Sequence, residues 1–417
     1  MKRILLILFL LVYGMTISCQ MPGQDLFVNN KKETVKFSYE NGFLIVDVVL
    51  NNYLPLTFIF DTGAQNTIIF DKLYADVAQC TYDDEVRVIG ADLNVPLLAS
   101  IARNVRLTMY PLPAVTRDIV VLQEDLIHLD ELIGRKVHGI LGSDFFRNVI
   151  VEIDYEKSKI CFYDPLEFNY RTLDDYSSQS VKILRGKVYL NCPISYKNGY
   201  TKAADFLLDT GAALSLLVHH NQEDSLVLPE YYVRGSFGQG LGGALVGYIG
   251  VVDSLKVLSF NMPYILTNFQ DIDSSFLMIE SIEREGIIGN LLLSKFKIFL
   301  DYRFGKLYVK PSKYFKDEFL VNKTGMTLIA QGLDLNEFVV SSVIEGSQAD
   351  KVGIKKGDFI KKVGPWFSRK RKLTDVLDYF SRDDGKKVQF ELIKNKGTMR
   401  EIHKRIKMEL LNPFIKH

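Results

Sequence analysis

The chain has 417 residues, enough for about three domains, and its formal net charge is only +1. This balance provides no overall attraction for nucleic acid, so no nucleic-acid partner is expected. With 27 Phe and 21 Tyr, the composition favours strand-rich structure over helical bundles. No cofactor motif is present, and the spacing of Cys80, Cys161 and Cys192 matches neither a metal site nor a disulfide framework.

The first 19 residues have the pattern of an export signal. Lys2 and Arg3 precede an apolar run at residues 4–12 that is too short to span a bilayer. The end of the segment resembles a bacterial lipoprotein signal, which implies that Cys19 is lipidated, although Thr16 replaces the usual Leu. An ordinary secretory signal with an incidental Cys is the alternative. Both predict export, and lipidation predicts a membrane-anchored protein of the bacterial cell envelope, facing the periplasm or the cell surface.

Residues 20–33 are polar and read as a tether, and β-strand patterns follow. Strands are predicted at residues 43–50 and 54–60, with a turn at Asn51-Asn52, and the second strand ends at Asp61-Thr62-Gly63. Further apolar segments occupy residues 85–89, 95–109 and 139–142, and a hairpin spans residues 149–163.

The same series of features then occurs a second time. Asp209-Thr210-Gly211 follows the first triplet by 148 residues, and the second Gly-Ile-x-Gly element, at residue 286, follows the first by 147. Such a repeat predicts two similar lobes. A carboxylate at the end of a buried strand is costly unless its charge is used, so two of them in matched places form a candidate active site.

These marks resemble a retropepsin-like aspartic protease whose two lobes are fused in one chain. The resemblance covers roughly residues 34–312 and implies a mainly β, bilobal acid-protease fold, with lobe 1 at residues 34–170 and lobe 2 at 171–315. It implies a monomeric enzyme with catalytic residues Asp61 and Asp209. Four residues would support this dyad, the threonines by linking the loops and the glycines by admitting backbone amides: Thr62, Gly63, Thr210 and Gly211.

Two adjacent carboxyl groups can share one proton and activate one water for peptide hydrolysis. Ala64 and Ala212 follow the two triplets, as in retroviral-type proteases, where pepsin-like enzymes carry a hydroxyl residue. Without those hydroxyl donors the dyad pKa values should be higher, which predicts activity at mildly acidic to neutral pH. The substrate of such a dyad would be a peptide or protein.

A substrate-covering flap has candidates in both lobes. Lobe 2 contains Gly238, Gly240 and Gly242 in a predicted loop between strands at residues 231–233 and 245–251, and lobe 1 contains Gly90 at the matching place. An ordinary surface loop is the alternative. His219-His220, between the second triplet and this loop, is interpreted as a solvated pair.

The C-terminal residues 316–412 resemble a bacterial PDZ domain. The marks are Gly346-Ser347-Gln348-Ala349, Gly357-Asp358, a predicted helix at residues 373–380 and a predicted strand at 387–394. The resemblance implies binding of an extended peptide or free C-terminus by strand addition. Amides near four residues would hold the peptide end: Gly325, Met326, Thr327 and Leu328.

The sequence therefore predicts an exported aspartic endopeptidase with a PDZ domain. The alternative from a different class is a catalytically silent scaffold protein that binds peptides, and a third possibility is a protease that processes only itself. The PDZ domain could recruit substrate or block the cleft.

Overall fold

The computed structural model describes residues 25–28, 31–88, 97–196, 199–220, 228–240, 243–271, 285–319 and 321–415. The predictions for the signal segment, Cys19, Gly90, Gly242 and part of the tether lie outside these residues. None of the helices within the described ranges has the length and apolar character needed to cross a membrane.

The described residues of lobe 1 form eleven strands and two short helices. The strands are β1 (Glu33–Lys36), β2 (Ser38–Glu40), β3 (Phe43–Leu50), β4 (Leu54–Phe60), β5 (Ile68–Ile69), β6 (Thr81–Val88), β7 (Leu97–Thr108), β8 (Val115–Leu122), β9 (Gly139–Leu141), β10 (Ile150–Asp154) and β11 (Lys159–Tyr163). The helices are α1 (Lys72–Val77) and α2 (Leu129–Ile133). Asn51 and Asn52 both have positive φ, the conformation that a tight turn between β3 and β4 requires.

Lobe 2 also has eleven strands within the ranges that the structure describes. They are β12 (Ser177–Ser180), β13 (Lys182–Leu184), β14 (Lys187–Ser195), β15 (Thr201–Asp209), β16 (Leu216–His220), β17 (Tyr232–Gly240), β18 (Gly243–Val257), β19 (Phe260–Asp271), β20 (Gly286–Gly289), β21 (Phe296–Asp301) and β22 (Lys306–Pro311). A 3₁₀ helix at Tyr170–Leu173 joins the lobes, and α3 spans Asn290–Leu293.

Each lobe is built on an eight-stranded sheet, and the two sheets have the same strand order. Lobe 1 follows β2-β3-β4-β9-β5-β8-β7-β6, and lobe 2 follows β13-β14-β15-β20-β16-β19-β18-β17. In both, the strand before the triplet runs parallel to the later Gly-Ile-x-Gly strand, β4 with β9 and β15 with β20. The predicted mainly β, bilobal architecture is confirmed.

A third, six-stranded sheet joins the lobes in the order β1-β11-β10-β21-β22-β12. Its central antiparallel pair, β10 with β21, takes one strand from each lobe. The largest group of buried apolar side chains also includes members of both lobes, among them Phe60, Phe146, Phe206 and Phe296. The lobes therefore share a continuous core, which fixes their relative position.

The remaining described residues, 321–415, are called the C-terminal unit. Its strands are β23 (Met326–Gln331), β24 (Glu337–Val343), β25 (Phe359–Val363), β26 (Trp366–Phe367), β27 (Lys387–Lys394) and β28 (Ile402–Glu409). Its helices are α4 (Gln348–Lys351), α5 (Leu373–Phe380) and a 3₁₀ turn at Ser368–Lys370. The predicted helix at 373–380 and strand at 387–394 are confirmed. The sheet order is β23-β24-β25-β27-β28, with β26 paired to β25, and the unit has its own apolar core.

Two predictions in lobe 2 are corrected. The glycine-rich stretch is part of a hairpin, because Gly238 pairs with Leu245 and Gly240 with Gly243, so β17 and β18 are longer than predicted. Glycine lowers strand propensity without removing the backbone donors and acceptors of the ladder, and a bulge between Ser236 and Gly238 absorbs the irregularity. The second correction concerns His219, which is buried rather than solvated.

Candidate active site

The first Asp-Thr-Gly loop begins where the central strand β4 ends. The amide of Asp61 donates to the carbonyl of Leu141 at the end of β9, 3.1 Å away. A Cβ added to Gly142 would lie 2.6 Å from the backbone carbonyl of Asn66, and one added to Gly289 would lie 2.4 Å from that of Leu214. The Gly-Ile-x-Gly elements therefore end in glycine because each passes directly against the backbone behind its Asp-Thr-Gly loop.

The two loops are joined by hydrogen bonds of their threonines. The Thr62 hydroxyl donates to the Leu208 carbonyl at 2.7 Å, and the Thr210 hydroxyl donates to the Phe60 carbonyl at 2.7 Å. Each hydroxyl also accepts the other threonine's amide, at 3.0 and 3.1 Å. Because both side chains are buried, these four reciprocal bonds fix the two loops against each other.

Gly63 and Gly211 place each loop against the carboxyl group of the other lobe. A Cβ on Gly63 would lie 2.4 Å from the carboxyl carbon of Asp209, and a Cβ on Gly211 would lie 2.3 Å from a carboxyl oxygen of Asp61. Neither residue has a positive φ, so close approach rather than backbone conformation requires glycine.

The two carboxyl groups are adjacent and almost completely buried. Asp61 Oδ1 accepts the amides of Gly63 at 2.7 Å and Ala64 at 3.0 Å, and Asp209 Oδ1 accepts the Gly211 amide at 2.8 Å. Burial raises the pKa of Asp61 well above its usual range, and the negative charge of Asp209 and a hydrogen bond with it add to the rise. The Gly63 and Ala64 amides oppose that rise without cancelling it.

Two further side chains support the loops and were not among the predicted site residues. Asn290 is fully buried, donates to the Thr210 carbonyl at 3.1 Å and the Gly42 carbonyl at 2.7 Å, and accepts a hydrogen bond from the Tyr155 hydroxyl. Asp144 accepts the amide and hydroxyl of Thr67 at 3.0 and 2.8 Å. Both follow a Gly-Ile-x-Gly element, a signal that could have marked them.

Of the four flap candidates, Gly238 and Gly240 lie in the β17–β18 hairpin described above. The proposed peptide-binding residues begin at the turn before β23. Gly325 has a positive φ and its carbonyl accepts the Ile344 amide at 2.8 Å. The Met326 amide donates to Thr324 Oγ1 at 3.2 Å. The side chains of Met326 and Leu328 are buried in the core of the unit, whereas Thr327 is half-buried.

One group in the described residues has the composition of a metal site. Asp125, His128 and Asp130 each offer a ligand atom, and these atoms lie within 4.8 Å of one another. Both carboxylates already have partners: Asp130 binds Lys136 Nζ at 2.8 Å, and Asp125 accepts the Ile127 and His128 amides at 3.1 Å. Asp125 therefore stabilises the loop before α2, and Asp130 binds a side chain just after the helix.

Comparison with known proteins finds a family model that matches part of lobe 1. Residues 46–145, which include the first triplet, match the family model described as Aspartyl protease. Similar solved structures include Basic 7S globulin from soybean, with 8% identity and a TM-score of 0.41 over 69% of this chain and 97% of that one. Another is an aspartic proteinase from Irpex lacteus, with 11% identity and a TM-score of 0.42 over 69% and 99%. No curated protein matches the chain.

Proposed function

We propose that the chain is an aspartic endopeptidase whose dyad, Asp61 and Asp209, activates a water for peptide hydrolysis. The observation that carries the proposal is the pairing of two buried carboxyl groups on loops locked together by reciprocal threonine bonds. The match of lobe 1 to the aspartyl protease family supports the same conclusion. A fold maintained for other purposes would not need two buried acids in contact, because their mutual repulsion is costly.

In the proposed mechanism the two carboxyl groups hold one proton between them. The ionised member takes a proton from a water, which then attacks the carbonyl carbon of the peptide bond, while the protonated member donates to the carbonyl oxygen. The tetrahedral intermediate then breaks its C–N bond as the leaving nitrogen takes up the proton that the base received from water. A hydroxyl of the intermediate returns its proton to the other carboxylate, which restores the singly protonated dyad. Because the dyad titrates as a unit, neither role belongs permanently to Asp61 or Asp209.

The raised pKa of Asp61 supports a monoprotonated dyad at mildly acidic to neutral pH. Activity should fall at low pH, when both groups are protonated, and at high pH, when both are ionised. The measurement is the pH dependence of kcat/KM for a cleaved peptide. A profile with its maximum only below about pH 3 would contradict this assignment.

The test of the proposed activity is cleavage of a mixed peptide pool, with products identified by mass spectrometry. We expect cleavage by the wild type and its loss in both Asp61→Asn and Asp209→Asn, by about 10³-fold or more. Asp174→Asn, the same change at an exposed position, is the matched control and should retain activity. Wild type that binds peptides but cleaves none over a wide pH range would indicate the scaffold function instead. Trimming of the chain itself without cleavage of added peptides would indicate self-processing.

We also propose that the protein is exported and anchored through a lipid on Cys19, based on the N-terminal sequence pattern alone. A single acyl chain binds membranes only weakly, so bacterial-type multiple acylation would be needed for stable attachment. Mass spectrometry of the mature N-terminus tests this proposal, with Cys19→Ser as the comparison. An unmodified mature chain that begins at another residue would indicate an ordinary secretory signal.

A further inference from the structure

Strand β23 of the C-terminal unit has an edge that is open to pairing. In the described sheet β23 is an end strand, and β24 is the only strand that pairs with it. Helix α5 packs beside β23, so the two elements form one side of the unit. An exposed strand edge attracts other strands, and proteins commonly cover such an edge with another element.

The element that lies against β23 comes from lobe 1. Helix α2 packs along the strand, and Gln331 Nε2 donates to Glu131 Oε2 at 3.5 Å. At the C-terminal end of α2, Gly134 meets the first residue of α5: a Cβ on Gly134 would lie 2.6 Å from the Cβ of Leu373. Leu373 is almost fully buried, so the contact is close and apolar.

Charged side chains flank this contact. Glu40 of lobe 1 lies 3.2 Å from Lys372 Nζ, at the start of α5, and 3.7 Å from Arg135, just after α2. Glu40 is largely buried, whereas Lys372 is mostly exposed. The Glu40 carboxylate therefore forms ion pairs both at the end of α2 and at the start of α5.

We propose that β23 and α5 form an interaction surface whose ligand is the segment 129–134 of the same chain. An extended peptide can then add to β23 only when this segment has moved away. In the C-terminal unit, segment 129–134 of lobe 1 and an extended peptide therefore compete for the same surface. This docking does not depend on whether the dyad hydrolyses peptides.

The docked segment is connected to the candidate active site through the turn at residues 40–42. Asn41 Nδ2 donates to the Ile133 carbonyl at 2.9 Å, at the end of α2. The next residue, Gly42, accepts the bond from Asn290, which also binds the Thr210 carbonyl. Displacement of α2 therefore removes a support of the turn that contacts the second Asp-Thr-Gly loop.

The test measures hydrogen–deuterium exchange of the full chain at residues 129–134 and 326–331. Gln331→Glu places a negative charge beside Glu131, and Lys372→Glu places one beside Glu40, so both variants should weaken docking. We expect exchange at both segments to accelerate about three- to fivefold. Gln389→Glu and Lys370→Glu make the same charge changes at exposed positions outside the contact and should leave exchange unchanged. Unchanged exchange in both test variants, or equal acceleration in the controls, would overturn the proposal.

A second measurement uses a labelled synthetic peptide that copies residues 126–136, added to the full chain. If lobe 1 occupies the surface, the peptide should bind Lys372→Glu about three- to fivefold more tightly than wild type or Lys370→Glu. Equal affinity of the peptide for all three proteins would show that segment 129–134 does not compete with it for the surface. Far-UV circular dichroism of each variant confirms that it is folded.

Discussion

In lobe 1 the buried carboxyl of Asp144 binds the amide and hydroxyl of Thr67, just behind the first Asp-Thr-Gly loop. The equivalent positions in lobe 2 are Leu291 and Ser215, and the buried Ser215 hydroxyl has no hydrogen-bond partner among the described residues. A similar difference separates Tyr155, which binds Asn290, from its lobe 2 equivalent Tyr302, whose buried hydroxyl has no such partner in the described ranges.

The two Asp-Thr-Gly loops themselves are nearly symmetric. Their threonine bonds are reciprocal, with matching lengths, and each glycine faces the other lobe's aspartate. Symmetry therefore holds in the threonine and glycine contacts between the two loops and is lost one layer behind them. A dyad needs two equivalent carboxylates, whereas the support behind each loop only needs to fill space and satisfy polar groups.

Among changes that keep both carboxyl groups, the largest effect should come from removing the close approach of the loops. Gly63→Ala and Gly211→Ala each place a methyl carbon within about 2.4 Å of the other lobe's carboxyl group, so the loops must separate. We expect either variant to lose peptide cleavage by about 10²-fold or more, because small misplacements of catalytic groups are that costly. Gly235→Ala is the control, since its Cβ would meet only ordinary contacts at 3.7 Å. If one lobe tolerates alanine and the other does not, the loops are not equivalent.

The support behind the loops should respond asymmetrically. Thr67→Val removes the hydroxyl that binds the buried Asp144 carboxyl, and we expect a loss of about 1.5–3 kcal/mol in the free energy of unfolding. Ser215→Ala removes a buried hydroxyl without a partner among the described residues and should change stability by less than about 0.5 kcal/mol. Urea unfolding followed by circular dichroism measures both. Equal losses would mean that Ser215 has a partner comparable to Asp144.

The pairing of Asp61 with Asp209 could be predicted from the sequence, because the repeat places both triplets at the ends of equivalent strands. The family resemblance implied the threonine links, and the close approach of the backbone predicted glycine at positions 63 and 211; both involve the repeated residues themselves. The roles of Asn290 and Asp144 were missed because neither is repeated: the equivalent positions carry Ser143 and Leu291. The contact of α2 with the C-terminal unit could not be predicted, since local patterns do not show which surfaces of separate units meet.

The strand bounds around the flap candidates were mispredicted for a related reason, and the flap role itself stays a prediction. The glycines at positions 238 and 240 were interpreted as a loop because glycine has low strand propensity. In the structure, pairing with β18 supplies backbone hydrogen bonds that outweigh this local preference. The predicted strand ends were therefore too short, although the hairpin itself was expected.

Stability should decrease as pH rises because of the buried dyad. The Asp61 pKa is raised above its ordinary value of 3.8, so the folded state retains a proton that the unfolded state has lost. This contribution to the free energy of unfolding is fully present below pH 3.8 and is lost as the pH rises through the folded-state pKa. The total loss is about 1.4 kcal/mol for each unit by which folding raises the pKa. Asp61→Asn and Asp209→Asn should both flatten the dependence, measured as urea unfolding between about pH 4 and pH 7.

A symmetric dyad predicts equal flattening in the two variants. Part of the pH dependence of stability should remain in both variants, because burial also raises the pKa of Asp144. Lobe 2 makes no matching contribution, since its equivalent residue is Leu291. A full dependence in either variant would show that the carboxyl groups do not titrate as a pair.

The smallest expected effect concerns the paired tyrosines. Tyr155→Phe leaves the fully buried Asn290 side chain without one of its partners, and we expect a loss of about 1 kcal/mol in the free energy of unfolding. Tyr302→Phe removes a buried hydroxyl that has no hydrogen-bond partner in the described residues, so stability should stay within about 0.5 kcal/mol of wild type. The two variants make the same chemical change at equivalent buried positions, so each is the control for the other. A loss at Tyr302 as large as that at Tyr155 would mean that its hydroxyl is bonded in solution, and the asymmetry between the lobes would then be confined to Asp144 and Ser215.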